Sequence, residues 1–404
     1  MTRPNVLFFV VDDLRPQLGC YGRAQMVTPH IDALAGSGVR FDRAYCQVPV
    51  CGASRASVLT GARPTRTRFL DYAAWAQEDL PEAVTLPEHF RSAGYTTVST
   101  GKVFHHQPDT ADRSWSRSPW FPVQPRKPSL WRNYALKENW ALAKAKNNRG
   151  PAYECADVDD STYFDGQIAD HAIDDLNELC GGDDPWFLSV GFVKPHLPFN
   201  APKRYWDLYD ADRVDLADNP FPPQDAPSNA LHNFGELRTY FDIPKEGPLS
   251  EELNRTLVHG YYAATSYTDA QVGRVMAELD RLGQRDNTII VFWGDHGWQL
   301  GEHGLWCKHC NFDTSLNAPL IISSPDSAPG SATHRVVEFI DMYPTLCDLC
   351  DLPAPPHLAG TSLAPLLDGN DRPWDDTAFS RFHSGESICT PRYLYTENTN
   401  EAGQ

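Results

Sequence analysis

The stretch NVLFFVVDD, residues 5–13, runs from an apolar segment straight into two aspartates. A short run of branched and aromatic apolar residues is typical of a strand buried on both faces. Four later runs have the same character, namely TTVST (96–100), PWFLSVGFV (185–193), TIIVFW (288–293) and PLIIS (319–323). Amphipathic segments at 28–38, 85–94 and 265–283 indicate helices between them. This alternation predicts an α/β fold with a large, mostly parallel central sheet flanked by helices.

Chemically active side chains follow four of these predicted strands. They are Asp12 and Asp13, Lys102 and His105, Lys194 and His196, and Asp295 and His296. Taken singly, each pair is typical of an ordinary turn, a helix cap or a solvated loop. Taken together they suit one hypothesis, because ligands of open α/β sheets bind outside the carboxyl ends of the strands. We therefore predict one site that holds a divalent cation and is ringed by cationic side chains for an oxyanion.

The three aspartates of this group favour a hard cation. Asp12, Asp13 and Asp295 offer the carboxylate oxygens that Ca²⁺ and Mg²⁺ prefer, and His296 offers one nitrogen ligand beside them. Zinc is disfavoured as the main ion, because no thiolate cluster accompanies the carboxylates.

The bulk composition limits the function classes. The 404 residues include 35 Lys and Arg against 53 Asp and Glu, a formal net charge of −18, which argues against a nucleic-acid-binding surface. No apolar run approaches the roughly 20 residues of a membrane span. The N-terminus shows neither the basic region nor the cleavage site of a signal peptide. We therefore expect a cytoplasmic protein, or a periplasmic or secreted one if a signal has been trimmed.

The ten cysteines do not have the spacing of a disulfide framework, which suits a reducing compartment. Two Cys-x-x-Cys pairs, Cys307/Cys310 and Cys347/Cys350, leave a zinc or redox site open. Their separation exceeds that of a zinc ribbon, and the second pair alternates with leucines, so buried thiols are the favoured interpretation.

The segment CGASRASVLTG, residues 51–61, places a cysteine four residues before an arginine, in a small-residue run that predicts a helix start. It resembles the signature of the type I sulfatases, in the alkaline-phosphatase-like superfamily, which reads Cys-x-Pro-x-Arg followed by Leu-Thr-Gly. The blocks PNVLFFVVDDLR, GYTTVSTGKVFH, KPHLPF and GDHGWQLGEHGLWCKHCNFD are also similar to that family. Their combination is most similar to the iduronate-2-sulfatase branch and extends, in order, over about residues 3–367.

The resemblance implies an alkaline-phosphatase-like sandwich, a large sheet flanked by helices, with a small C-terminal subdomain. We expect the catalytic domain at residues 1–368. Residues 369–404 are expected to start the C-terminal subdomain without completing it.

The same resemblance implies a reaction and its residues. Cys51 is the expected precursor of formylglycine, an aldehyde made by a formylglycine-generating enzyme, whose hydrated diol attacks sulfur and then expels sulfate. Ca²⁺, in preference to Mg²⁺ or Mn²⁺, is expected to bind Asp12, Asp13, Asp295, His296 and the modified Cys51. Arg55 is expected to mark Cys51 for the modifying enzyme and later to hold the diol, and Lys102 to hold the formylglycine oxygens or the sulfate. The other implied roles are removal of the diol proton by His105 when sulfate leaves, and sulfate contact with protonation of the leaving oxygen by His196 and Lys308.

One residue departs from the family's pattern, because Ala53 stands where the signature has proline. The first hypothesis is a sulfuric-ester hydrolase that removes sulfate from a sulfated carbohydrate, with a 2-O-sulfated uronic acid as the unit that the branch implies. The second is a phosphomonoester, phosphodiester or phosphonate hydrolase of the same superfamily, since related sites cleave both P–O and S–O bonds. The third is a non-catalytic binder of sulfated glycans in which Cys51 stays unmodified, and Ala53 is its only support.

Overall fold

A seven-stranded sheet lies at the centre of the computed structural model, which describes residues 3–122, 133–145, 149–370 and 372–399. The strands of these residues are β1 (Asn5–Val11), β2 (Val39–Tyr45), β3 (Thr96–Gly101), β4 (Tyr153–Ala156), β5 (Trp186–Phe192), β6 (Phe199–Pro202), β7 (Thr288–Gly294), β8 (Gln299–Leu300), β9 (Trp306–Cys307), β10 (Leu320–Ser323), β11 (Ser331–Glu338), β12 (Ala378–Phe382), β13 (Gly385–Cys389) and β14 (Leu394–Asn398). The order in the large sheet is β11-β2-β10-β7-β1-β5-β3. Strand β10 is antiparallel to both neighbours, and the other pairs are parallel. The predicted mostly parallel sheet is therefore confirmed.

Helices cover both faces of this sheet. Those of the described residues are α1 (Pro29–Gly36), α2 (Cys51–Thr60), α3 (Ala76–Asp79), α4 (Leu86–Ser92), α5 (Ala111–Ser114), α6 (Lys137–Ala145), α7 (Phe164–Leu179), α8 (Lys203–Trp206), α9 (Gly235–Arg238), α10 (Glu251–Arg281), α11 (Asp313–Leu316) and α12 (Met342–Leu349). In the described ranges, no helix combines the length and the apolar character that crossing a membrane requires.

Strand β1 is apolar on both faces because it separates two buried clusters. Side chains of a strand alternate between its faces. Phe8 and Val10 belong to a cluster with residues of α2, α4 and α12. Phe9 and Val11 belong to a second cluster with residues of α1, α7 and α10. The unbroken apolar run in the sequence is the consequence of this central position.

The register of β1 with its neighbours brings three strand ends level. Val11 aligns with Gly294 of β7 and with Phe192 of β5. The ladder continues for one residue, since Asp12 N donates to Phe192 O (3.2 Å) and Asp295 N donates to Val11 O (3.1 Å). The carboxylates of Asp12 and Asp295 therefore leave the carboxyl edge of the sheet side by side.

All five predicted strands are present in the large sheet, and the other two strands of that sheet, β2 and β11, were not predicted. Strand β2 has charged residues at three of its seven positions (VRFDRAY), and only the last three residues of β11 are buried, so neither shows an apolar run. The helices expected at 28–38 and 85–94 are α1 and α4. The helix expected at 265–283 is the second half of α10, which begins at Glu251.

The chain beyond residue 369, where no strand was predicted, contains an antiparallel sheet of β12, β13 and β14. This sheet packs on the segment before α2, because Ser380 Oγ donates to Cys46 O (2.5 Å) and Arg381 N donates to Gln47 O (2.8 Å). The expected small C-terminal unit is confirmed as a sheet, and the division of the chain at 368/369 stays a prediction.

The close approach of β3 and β5 requires a glycine at position 191. Lys102 N donates to Gly191 O (2.8 Å), and a Cβ on Gly191 would lie 2.0 Å from the carbonyl oxygen of Lys102. We expect Gly191→Ala to lower the unfolding free energy by about 1–3 kcal/mol, because backbone must move to relieve the overlap. Urea denaturation measures this loss.

The control is Gly36→Ala at the end of α1, where a Cβ would meet nothing within 4 Å. We expect no loss of stability there, since alanine is the better helix former. Equal losses in the two variants would contradict backbone overlap as the cause.

Candidate active site

Three aspartates are buried together at the carboxyl edge of the sheet. Asp12, Asp13 and Asp295 are all fully buried, and each offers an oxygen within 4.8 Å of the others. Asp13 N donates to Asp295 Oδ1 (3.0 Å). Asp13 has a positive φ of 61°, and Tyr261 of α10 braces it by donating its hydroxyl to Asp13 O (2.9 Å). This turn places neighbouring carboxylates on one site.

Arg55 of α2 ties two of these carboxylates together. Its Nε donates to Asp295 Oδ2 (2.9 Å) and its Nη2 to Asp12 Oδ1 (3.2 Å). Its Nη1 donates to the carbonyls of Lys102 and Val103, the latter at 2.9 Å. Arg55 is fully buried, so the planar guanidinium supplies charge and hydrogen bonds to three chain segments at once.

Two lysines complete the charge balance. Lys102 Nζ donates to Asp12 Oδ2, and Lys308 Nζ lies 2.9 Å and 3.0 Å from the two carboxylate oxygens of Asp13. Burial acts to raise the pKa of Asp12, but the charges of Lys102 and Arg55 hold it well below its ordinary value. Burial opposes the charge of Lys308, yet Asp13 and its neighbours hold the lysine pKa well above its ordinary value.

Cys51 begins α2 and faces the aspartates. Its Sγ lies 3.3 Å from His296 Nε2 and 3.7 Å from Asp13 Oδ1. His296 Nδ1 lies 2.8 Å from Gly297 O, which directs Nε2 into the site. Burial and the charge of Asp12 raise the pKa of the Cys51 thiol well above its ordinary value. An unmodified Cys51 is therefore a protonated, weakly nucleophilic thiol.

His196 and Lys308 share a carboxylate that the sequence did not indicate. Glu236 Oε1 lies 3.3 Å from His196 Nε2, and Glu236 Oε2 lies 2.9 Å from Lys308 Nζ. His196 Nε2 is also 3.8 Å from Asp13 Oδ2. Burial acts to raise the pKa of Glu236, but the charge of Lys308 keeps it well below its ordinary value. Glu236 thus stays ionised and links the cationic Lys308 to His196, an imidazole whose pKa burial lowers to about 3.

The short helix α9 that carries Glu236 is fixed by one arginine. The guanidinium of Arg238 donates to the carbonyls of Asn233 (2.8 Å), Pro244 (2.6 Å) and Gly247 (2.6 Å). It also lies over the ring of Phe234, 4.0 Å from its centroid. Glu236 neither follows a predicted strand nor lies in one of the blocks that resemble the sulfatases, so no local signal in the sequence distinguished it.

The structure brings most of the predicted residues into direct contact. One connected network contains Asp12, Asp13, Cys51, Arg55, Lys102, His196, Asp295, His296 and Lys308. His105 lies at its border, where burial and the charge of Lys102 lower the imidazole pKa well below its ordinary value. Lys194 has a different place, because its Nζ donates to His196 O (2.7 Å) and Pro198 O (2.6 Å). Lys194 therefore shapes the backbone around His196.

All four cysteines of the two Cys-x-x-Cys pairs, Cys307, Cys310, Cys347 and Cys350, are buried, and all ten cysteines are free. The favoured interpretation as buried thiols agrees with this. Among the described residues, the groups that could hold an ion combine Asp12, Asp13, Cys51, His196, Glu236, Asp295 and His296.

Comparisons with known proteins identify the family of this chain. Residues 4–352 match the family model Sulfatase. Iduronate 2-sulfatase of Mus musculus is 36% identical over 394 residues, which cover 87% of this chain and 70% of that protein. Choline-sulfatase of Rhizobium meliloti (strain 1021) is 32% identical over 391 residues, covering 92% and 72%. The chain therefore belongs to the sulfatase family and is a sulfuric ester hydrolase.

Solved structures share the fold. BT4656, in complex with its substrate D-glucosamine-2-N,6-O-disulfate, superposes with a TM-score of 0.77 at 22% identity, covering 100% of this chain and 90% of that one. A phosphonate monoester hydrolase from Silicibacter pomeroyi gives 0.76 at 22% identity with the same coverage. The alkaline-phosphatase-like fold implied by the resemblance is confirmed.

The central position of Arg55 leads to a stability prediction. Arg55→Met keeps the aliphatic stem but leaves Asp12 and Asp295 as buried, uncompensated carboxylates. We expect a loss of about 3–5 kcal/mol of unfolding free energy, which is typical when one partner of a buried ion pair is removed. Urea denaturation in the presence of a chelator measures it.

Arg66→Met is the matched control, because the Arg66–Glu386 pair is exposed and such pairs contribute less than about 1 kcal/mol. A loss no larger for Arg55→Met than for Arg66→Met would show that Arg55 does not hold the site together.

Proposed function

We propose that this chain removes sulfate from a sulfated carbohydrate, using a formylglycine made from Cys51 and a bound Ca²⁺ ion. The observation that carries the proposal is the position of Cys51, which contacts His296 and Asp13 at the centre of a network of buried carboxylates and cations. The maturation partner is then a formylglycine-generating enzyme. A sugar substrate is supported by the names of two similar proteins, iduronate 2-sulfatase and the protein solved with a sulfated glucosamine. The first of these names makes a 2-O-sulfated uronic acid one candidate for the sulfated unit.

The donor set fits a hard divalent cation. Asp12, Asp13 and Asp295 supply carboxylate oxygens, and His296 Nε2 lies 3.3 Å from Asp13 Oδ1. Oxygen-rich sets of this kind suit Ca²⁺ better than zinc. When bound, such an ion supplies Lewis-acid polarisation of the sulfate and a lowered pKa for the attacking hydroxyl.

The cationic side chains receive the sulfate anion. Lys102, Arg55 and Lys308 supply a positive field inside a protein whose net charge is −18, and buried fixed cations stabilise developing negative charge without reorganisation. Arg55 is committed to Asp12 and Asp295, so its role is to hold the carboxylates in place and Cys51 beside them. Lys102 and Lys308 reach the site with flexible ammonium groups that can exchange a carboxylate partner for a sulfate oxygen.

Proton transfer is divided between the two ends of the site. His196 and Lys308 lie together on the side of Glu236, where Lys308 carries the proton suited to the departing ester oxygen and His196 is placed to contact a sulfate oxygen. His105 borders Lys102 on the other side and is suited to accept the proton of the remaining diol hydroxyl as the carbonyl re-forms and sulfate leaves. A positioned acid or base of this kind contributes about 10²–10⁴-fold to the rate.

The test is to produce the protein together with a formylglycine-generating enzyme, then analyse the peptide that contains Cys51 by mass spectrometry. We expect a peptide that has lost one sulfur and two hydrogens and gained one oxygen. Converted protein should release sulfate from 4-nitrophenyl sulfate and from sulfated saccharides, which ion chromatography detects. Cys51→Ala should abolish release, because it removes the nucleophile precursor.

Cys155→Ala is the control, since Cys155 is an exposed thiol and its loss should leave sulfate release unchanged. A fully unmodified thiol would favour the non-catalytic binder and would show that Ala53 blocks conversion. If the converted protein hydrolyses phenyl phosphonate esters faster than any sulfate ester, the phosphonate hydrolase hypothesis is favoured. One structural neighbour is named as a phosphonate monoester hydrolase.

The proposed cation predicts a stability change. We expect Ca²⁺ at about a hundredfold excess over its Kd to stabilise the chelator-treated protein by about 2.7 kcal/mol, because the ion binds the folded state. Differential scanning calorimetry measures this as a rise in Tm, and Mg²⁺ should give a smaller one.

Asp295→Asn should remove the calcium effect, whereas Asp174→Asn, on the exposed side of α7, should retain it. An equal calcium effect in both variants would place the ion elsewhere.

A further inference from the structure

A cavity of about 520 Å³ adjoins the site on the side of Glu236. Its walls come from three separated parts of the chain, namely residues 226–236, residues 309–312 and the C-terminal strands β12 and β14. The volume falls within the range of small-molecule binding clefts, which is about 300–1,000 Å³. No pattern in the sequence indicates this cavity, since its walls meet only in the folded chain.

The cavity begins where the proposed leaving group would end. Glu236 forms part of its wall and contacts both His196 and Lys308, the pair proposed to flank the departing ester oxygen. His309, the residue after Lys308, forms another part of the wall. An alcohol that leaves sulfate beside His196 and Lys308 and extends past Glu236 would enter this cavity.

The walls combine hydrogen-bonding side chains with an aromatic ring. The polar groups include Asn229, Asn311 and Thr396, and Phe382 supplies the ring. The amide oxygen Asn311 Oδ1 is buried and has no hydrogen-bond partner among the described residues. Amides and hydroxyls with an aromatic face suit the hydroxyl groups and the apolar face of a sugar ring.

The walls contain no lysine or arginine among the described residues, and Glu236 is the one carboxylate. Burial lowers the pKa of His309 to about 3 and that of His232 to about 4, so these two imidazoles are neutral near pH 7. The third histidine of the walls, His383, is exposed. Lys308 is already paired with both Glu236 and Asp13, so a ligand carboxylate would add a third negative charge around it, which is unfavourable.

We propose that this cavity receives the uncharged sugar ring that carries the sulfate ester, and that Glu236 excludes a ring bearing a carboxylate. The inference rests on the proposed function, which supplies the sulfate and the direction of the leaving group. It selects a sulfated neutral sugar over the sulfated uronic acid as the substrate class.

The test uses pairs of methyl glycoside sulfates with the same ring and sulfate position, one with a hydroxymethyl group and the other with a carboxylate. We expect formylglycine-bearing protein to hydrolyse the neutral member with a kcat/KM at least about tenfold higher, because like charges repel in a partly buried cavity. Glu236→Gln should bring the ratio close to one. The ratio cancels effects of this substitution on His196 and Lys308 that are common to both substrates.

A second variant tests the cavity without touching the charges. Thr396→Trp on β14 should fill it and lower kcat/KM for the neutral sugar sulfate, relative to 4-nitrophenyl sulfate, by about tenfold or more. Tyr395→Trp is the control, because Tyr395 is exposed on the opposite face of the same strand, and it should leave that ratio unchanged.

The outcomes separate the two proposals. If the converted protein hydrolyses 4-nitrophenyl sulfate, and also hydrolyses the carboxylated sugar sulfate at least as fast as the neutral one, this inference is overturned and the proposed function stands. The same holds if Thr396→Trp leaves the ratio of sugar to aryl sulfate hydrolysis unchanged. Converted protein that hydrolyses no sulfate ester overturns the proposed function, and this inference falls with it.

Discussion

The buried ion pairs of Arg55 with Asp12 and Asp295 are the interaction on which the rest of the site depends. The two carboxylates end neighbouring strands, so the register of the sheet sets their separation, and the guanidinium sets the position of α2 against them. Cys51 begins that helix, and its distance from His296 and Asp13 follows from the same contact. Removing ions from water is costly. Here the cost is offset by hydrogen bonds that the guanidinium N–H groups donate to two carboxylates and two backbone carbonyls.

The sequence was most informative where one strand is buried on both faces. The run at 5–11 predicted β1 directly. The polar residues that follow the apolar runs predicted that the site lies at the carboxyl edge of the sheet. Strand β2 was not predicted because Arg40, Asp42 and Arg43 interrupt its apolar positions. The segment is a strand because it pairs with β10 and β11, which are distant in the sequence. The order of strands in the sheet has no counterpart in a single sequence, since it depends on contacts between distant segments.

The site was predicted to a similar extent and for a similar reason. The sequence predicted the site residues that directly follow strands or lie in a recognised motif. It also predicted His105, which only borders the network. Glu236 was not predicted, because it lies on one turn of helix inside an irregular excursion and its partners, His196 and Lys308, are 40 and 72 positions away in the chain. The cavity beside it was equally hidden, since three distant segments form its walls.

The complete burial of α2 has a consequence for the order of events during synthesis. All ten residues of this helix are buried, Cys51 is 3% exposed, and a Cβ on Gly52 would lie 2.4 Å from the backbone oxygen of Tyr72. Under the proposed function, an enzyme that oxidises Cys51 must reach a side chain that the folded chain buries. We therefore expect conversion to precede the packing of α2, so that a chain which folds first retains its thiol.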